Sequence, residues 1–294
     1  MNKLSKPIFL ILAALLATSS SAMATVLHTE KSLYRNIVVY TEDDLRCMRF
    51  GRYDGNRQSC VSITEPNRLV FNYTRMMMGA LYLNPTPQRV LIIGLGGGTL
   101  PSTLQKLFPT VQIDVAEIDP AVTKVARKYF GFDAGNKIRV AEEDGRVFVK
   151  RALKQTTRYD LIMLDAFDHE YIPEHMLTRE FLQEVRGLLT PNGVLAANTF
   201  SSSRLYDYES ITYQTVFGDF FNLKDANRVI LTRMNGLPNQ EELRRNAQAL
   251  ESKLKPLGVG SDFLLPKLTA TKDWPANTRV LTDQYSPANL LNSK

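Results

Sequence analysis

RVLIIGLGGGTLPSTLQKLFPTVQIDVAEID, residues Arg89–Asp119, decides the fold. Val90-Leu91-Ile92-Ile93 is a short apolar, β-branched run, the pattern of a buried strand. Gly94-Leu95-Gly96-Gly97-Gly98-Thr99 breaks it, and Pro101 stands at a plausible first helical turn before the helical stretch Ser102–Phe108. A second apolar strand, Val111–Ala116, ends in Glu117-Ile118-Asp119. Glycines where a strand turns into a helix let a ligand approach the backbone, and the helix N-terminus offers free N–H groups. An acid closing the next strand accepts hydrogen bonds from both ribose hydroxyls. The whole unit therefore predicts a nucleoside-binding α/β domain, with Gly94, Gly96, Gly98, Glu117 and Asp119 at the ligand.

Outward from this unit, strands and helices alternate. Helices are expected over Pro120–Phe130, Arg146–Leu153 and Thr178–Leu189, and strands over Ile138–Ala141, Tyr159–Leu164 and Val194–Asn198. That rhythm predicts a mostly parallel, doubly wound Rossmann-like sheet, with ligands beyond the carboxyl ends of its strands. Upstream, Ser32–Tyr40, Leu45–Phe50 and Ser59–Ile63 read as a small antiparallel sheet, and Leu69–Leu83 as a helix. Met76, Met77 and Met78 in that helix read as core. Asn84-Pro85-Thr86-Pro87 is a linker, so the division expected is 25–85 for the β-hairpin unit with its helix and 86–294 for the Rossmann-like domain. Further on, a helix over Tyr208–Phe217, a strand over Arg228–Thr232 and a helix capped by Asn239 with Glu242 are expected. The tail Val280–Tyr285 is expected to return to the sheet.

The first 24 residues form a separate expectation. Lys3 and Lys6 precede the apolar run Ile8–Ala17, and small residues end in Ala22-Met23-Ala24, the pattern of a signal peptide cut after Ala24. The run is well short of the ~20 residues that span a bilayer, so a periplasmic or secreted protein with no membrane contact after cleavage is expected. The formal net charge of +6 loses two with those lysines, and the remaining basic residues are dispersed, unlike a nucleic-acid stripe. The two cysteines, Cys47 and Cys60, would lie opposite each other if the chain folds back at Tyr53-Asp54-Gly55-Asn56, which predicts a disulfide; two buried thiols are the other reading.

Acids close the strand ends: Glu117 with Asp119, Asp144 beside Gly145, and Asp165 with Asp168. Together they predict an acidic mouth suited to a sulfonium or an amine. The series VLIIGLGGG, VAEID, EEDGR and LDAFD resembles the spermidine synthase family, aminopropyltransferases on the class I methyltransferase fold, over roughly Ser32 to Ser201. The resemblance implies transfer of an aminopropyl group from decarboxylated S-adenosylmethionine to a di- or polyamine, without a metal, in a chain that often dimerises. It implies that Gly94, Gly96 and Gly98 line the nucleoside, Glu117 holds the ribose, and Asp144 with Gly145 meets the adenine amino group. Asp165 then becomes the base and Asp168 holds the amine, with Gln58, Tyr73, Glu170 and Tyr285 completing the substrate side. The chemistry is consistent, because an ammonium must lose a proton before it attacks carbon beside a sulfonium.

Three departures from the family pattern stand out. Gly97 replaces an aspartate of the glycine turn, Asn72-Tyr73-Thr74-Arg75 replaces a Tyr-His-Glu segment, and His169–His175 replaces a proline-rich lid. Gly97 leaves room for intact S-adenosylmethionine, which keeps a methyltransferase open. The altered amine anchors keep open a non-catalytic polyamine- or nucleoside-binding protein. A nicotinamide oxidoreductase fits the aspartate motifs poorly. His169 and His175 do not have the HExxH spacing of a metal helix, and no GxSxG elbow or phosphate-binding Gly-Lys-Ser/Thr loop is present.

Overall fold

A computed structural model describes residues 24–51, 56–166, 173–202 and 204–292. Residues 1–23 of the expected signal peptide, and Asp168 and Glu170, lie outside the described residues.

The N-terminal part is a four-stranded antiparallel meander, β1 (Thr25–Glu30), β2 (Ile37–Glu42), β3 (Leu45–Phe50) and β4 (Arg57–Ser62). The strand expected from Ser32 begins only at Ile37, because the Ser32 hydroxyl accepts from the Tyr34 amide and holds a turn. Cys47 stands directly opposite Cys60 in the β3–β4 register with Cα atoms 4.1 Å apart, and the two are disulfide-bonded. Gln58 falls at a register shift of this pair, between Met48–Ser59 and Arg49–Arg57.

The single helix expected over Leu69–Leu83 is two, α1 (Asn72–Met77) and α2 (Ala80–Leu83). Between them the backbone tightens into i→i−3 bonds, Gly79 to Met76 and Tyr82 to Gly79. A Cβ at Gly79 would lie 2.9 Å from the Leu231 side chain, so the joint sits hard against the main sheet. Met76, Met77 and Met78 are fully buried.

The main unit runs β5 (Arg89–Ile93), α3 (Thr99–Leu107), β6 (Gln112–Ala116), α4 (Pro120–Tyr129), β7 (Ile138–Ala141), α5 (Gly145–Lys154), β8 (Tyr159–Leu164), a 3-10 turn (Glu174–Met176), α6 (Arg179–Leu188), β9 (Leu189–Phe200), α7 (Tyr206–Phe217), β10 (Phe221–Lys224), β11 (Asn227–Arg233) and α8 (Gln240–Leu254). Short helices α9 (Ser261–Leu264) and α10 (Ala288–Asn292) follow. The sheet order is β10-β11-β9-β8-β5-β6-β7, with β5 to β9 parallel and β10 and β11 antiparallel at one edge.

Helices α4, α5, α6 and α8 each start on a side-chain cap and bury an apolar stripe. Asp119 accepts from the Ala121 amide ahead of Pro120, and Val122, Val125 and Ala126 bury one face of α4. Asn239 accepts from the Glu242 amide, and Leu243, Ala247, Leu250 and Leu254 bury the inner stripe of α8. Central strands are apolar on both faces because both are covered. Leu161 and Met163 of β8 join the core under α3, α4 and α8, while Ile162 and Leu164 join that under α5, α6 and α7. The result is the doubly wound Rossmann-like sheet expected, beside a small antiparallel one.

The tail does not return to the sheet. Thr282 and Tyr285 close only a local turn on each other, because Leu281 is tied to Thr212 and Arg179, and Asp283 to Arg146, on the outer helices.

Candidate functional site

The carboxyl ends of β5, β6, β7 and β8 stop at one level and are stitched together. Gly94 donates to the Ala116 carbonyl, Glu117 to Ala141, and Asp165 to Ile93, at 2.8, 3.0 and 2.8 Å. The ladder thus continues one step past each strand and fixes the backbone from which the functional side chains leave. Gly94 is the hub. Its φ of +98° suits glycine, and a Cβ there would lie 2.2 Å from the Asp165 carbonyl oxygen.

Glu117 is buried, and its carboxylate braces the glycine turn. One oxygen accepts from the Leu95 amide and the other from the Asp119 amide, both at 2.9 Å. Burial raises its pKa against the lowering effect of those amides. Asp119 is committed elsewhere, capping α4 with one oxygen and accepting from the Ser32 hydroxyl with the other. Ile118 between them is exposed and offers an apolar face at the strand end.

The N-terminal sheet supplies a wall. The buried Ser59 hydroxyl on β4 accepts from the Gly97 amide at 3.1 Å, and a Cβ at Gly97 would lie 2.7 Å from that oxygen. A side chain at 97 would therefore have to displace the Ser59 hydroxyl and press on the Phe130 ring. Gln58 adjoins Ser59 in sequence, which brings its backbone to the same wall.

At the β7 end, Asp144 caps α5, one oxygen accepting from the Arg146 and Val147 amides. Its other oxygen faces His175 Nε2 at 2.8 Å. Gly145 is packed tightly, since a Cβ would meet Ile93 at 2.5 Å and the Met176 sulfur at 3.1 Å.

Asp165 carries the strongest chemical signature. Its carboxylate accepts from Asn198 Nδ2 at 2.9 Å and from the Tyr73 hydroxyl, and Asn198 is held in turn by Asn227 at 3.1 Å. Burial pushes the Asp165 carboxyl up to about 7, even though both donors pull it down. Burial, with the Asp165 charge adding to it, likewise raises the Tyr73 phenol, so Tyr73 stays a donor. A carboxylate poised near neutral pH and oriented by two donors suits proton abstraction.

The structure thus brings together Gly94, Gly96, Gly98, Glu117, Asp144, Asp165 and Tyr73. Tyr285 packs against Leu177, Leu205 and Leu281 with the Arg279 guanidinium 3.4 Å from its ring centre, in a pocket that His175 also lines. Sequence reading missed Ser59 and Asn198, and it named His175 without its contact to Asp144. Asn198 closes a predicted strand next to the one that carries Asp165, and that position is the signal that could have found it. Among the described residues, no group of three or more His, Cys, Asp or Glu side chains could hold a metal ion. No helix among them is long and apolar enough to cross a membrane.

Comparison with known proteins agrees with this architecture. The polyamine aminopropyltransferase of Vibrio vulnificus (strain CMCP6) is 47% identical over 290 residues, covering 97% of each chain. The crystal structure of human methyltransferase-like protein 13 in complex with SAH superposes with a TM-score of 0.58 at 27% identity, over 73% of this chain and 99% of that one. Spermidine synthase from Thermotoga maritima shares the fold, with a TM-score of 0.66 at 20% identity over 84% and 85% of the two chains. The family model described as the spermine/spermidine synthase domain matches residues 70–231, which hold the glycine turn, Glu117, Asp144, Asp165 and Asn198. With more than half of its length under that model, the chain belongs to the spermine/spermidine synthase family.

Proposed function

We propose that the protein is an aminopropyltransferase, moving an aminopropyl group from decarboxylated S-adenosylmethionine to a di- or polyamine. The observation that carries the reading is Asp165, a strand-end carboxyl raised to about 7 and aimed by Tyr73 and Asn198. The likeness to the Vibrio vulnificus polyamine aminopropyltransferase supports it.

The residues present fit the donor. The glycine turn between β5 and α3 would let the donor approach its backbone, with Gly94, Gly96 and Gly98 all at positive φ. Glu117 would accept from ribose hydroxyls, exposed Ile118 would lie against the base, and Asp144 would meet the base's amino group. The bound sulfonium supplies an electrophilic carbon. Asp165 would hold the acceptor's ammonium group and take one proton from its nitrogen, while Tyr73 and Asn198 keep the carboxylate turned toward it. Asp168 and Glu170 are proposed to hold the acceptor's far end. The segment ending at Ala24 is proposed to direct the protein out of the cytoplasm.

Gly97 favours a second reading, methyl transfer from S-adenosylmethionine, since no acid on the turn opposes the donor's carboxylate. One incubation separates the two. With putrescine and decarboxylated S-adenosylmethionine, spermidine and methylthioadenosine are expected in equal amounts. Methyl transfer from intact S-adenosylmethionine without aminopropyl transfer would replace the first reading by the second. Release of neither product would overturn both.

A further inference from the structure

We infer that His175 is a positioning residue for recognition of the donor's base: its imidazole orients the Asp144 oxygen that does not cap α5, so that the lone pair left on that oxygen is aimed to select a base bearing an exocyclic amine over one bearing a carbonyl. The inference rests on the reading that Asp144 faces the nucleoside base.

The argument begins with the Asp144 lone pairs. One oxygen is occupied by two backbone amides of α5, at 2.9 and 3.0 Å. The other meets His175 Nε2 at 2.8 Å. A carboxylate only accepts, so the imidazole nitrogen facing it carries the proton and donates. One lone pair of that oxygen then remains for a ligand, in a direction set by the imidazole. An amine N–H satisfies it, whereas a carbonyl oxygen sets acceptor against acceptor. Unpaired polar groups of that kind give large discrimination between ligands of equal size.

The turn that carries His175 is held independently of Asp144. Arg146 donates to the His175 carbonyl at 3.0 Å, and Arg146 itself is clamped by Asp283 and Glu184. Ser286 donates to the Glu174 carbonyl, and the Asn289 amide to the Glu174 carboxylate, both at 2.9 Å. Met176 packs over Gly145 on the other side. Three contacts from the C-terminal segment thus reach the turn directly or through Arg146. The imidazole itself is only half-buried, so it remains accessible to a ligand.

Calorimetric titration of the full chain with methylthioadenosine and methylthioinosine tests this. The wild type is expected to prefer the adenine nucleoside by about tenfold or more. In His175→Ala the preference falls to about threefold or less, through weaker methylthioadenosine binding, while the affinity for methylthioinosine stays within about twofold. His175→Gln, which keeps an N–H donor, restores most of the preference. Parallel weakening of both nucleosides in His175→Ala, or no change in either, overturns the inference. Asp144→Asn separates the layers. If it abolishes the preference and His175→Ala does not, only the role of His175 falls. If Asp144→Asn leaves the preference intact, or the wild type binds neither nucleoside, the reading of Asp144 falls and the inference with it.

Discussion

Asp165 and Glu209 are two carboxyl groups that burial pushes to about 7, and they stand on opposite faces of the same sheet. Asp165 is reached through Asn198 of β9, and the next residue, Thr199, faces the other way and pairs in register with Arg228. Glu209 on α7 lies near that arginine, which is fully buried against the Tyr206, Phe220 and Trp274 rings. Arg228 spends its N–H groups on Asn222, Ser210 and the Tyr206 carbonyl, and Glu209 Oε2 has no hydrogen-bond partner among the described residues. A raised carboxyl alone therefore does not mark an active site. What distinguishes Asp165 is its place beyond a strand end, beside a glycine turn, with two donors aimed at it.

The largest test of this contrast removes the charge at Asp165. Asp165→Asn is expected to lower turnover about 10²–10⁴-fold, the range for losing a general base, in an assay of spermidine release. In the wild type, log(kcat/KM) should climb with pH and level off above about 7, where Asp165 is ionised. Glu209→Gln should leave that inflection in place. If the inflection moves with Glu209, the contrast is wrong.

Tyr73→Phe gives a smaller effect with a definite direction. The phenol lowers the Asp165 pKa, so its loss moves the inflection to higher pH. Turnover at pH 7 should fall about three- to tenfold and recover by about pH 9. A uniform loss at every pH would assign Tyr73 to holding substrate alone.

The smallest effect is on stability. The folded state holds a proton on Glu209 up to about pH 7, while the unfolded chain releases it near the ordinary value of 4.5. The stability due to Glu209 is therefore full below that value and is lost as pH rises through about 7. Glutamine has no proton to lose, so Glu209→Gln should melt roughly 2–4 °C above the wild type at pH 8 and match it at pH 4. Equal melting at both pH values would show that Arg228 compensates the ionised form.

Much of the active edge is legible from sequence because strand ends are local events. A short apolar strand that stops at glycine or an acid places Gly94, Glu117, Asp144 and Asp165 without knowledge of the rest of the fold. The contacts that tune those residues are not local. Ser59 meets Gly97 across 38 positions, and His175 meets Asp144 across 31. Periodicity carries no trace of such pairs. The tail differs for a related reason: Val280 and Leu281 open it as an apolar pair, but Asp283 is drawn to Arg146, where the carboxyl is held down to about 2 by the guanidinium. The close approach of Leu231 to Gly79 at the helix joint is another distant contact, and the helical pattern of Leu69–Leu83 does not encode it.

The Ser59–Gly97 contact joins two pieces that recombination and protein engineering would treat as separable parts. An N-terminal sheet transplanted from a relative brings its own residue opposite the turn, and a side chain larger than serine would press on a backbone already in van der Waals contact. The smallest exchangeable module is thus the sheet together with residue 97, and chimaeras should be cut so that the two travel as one.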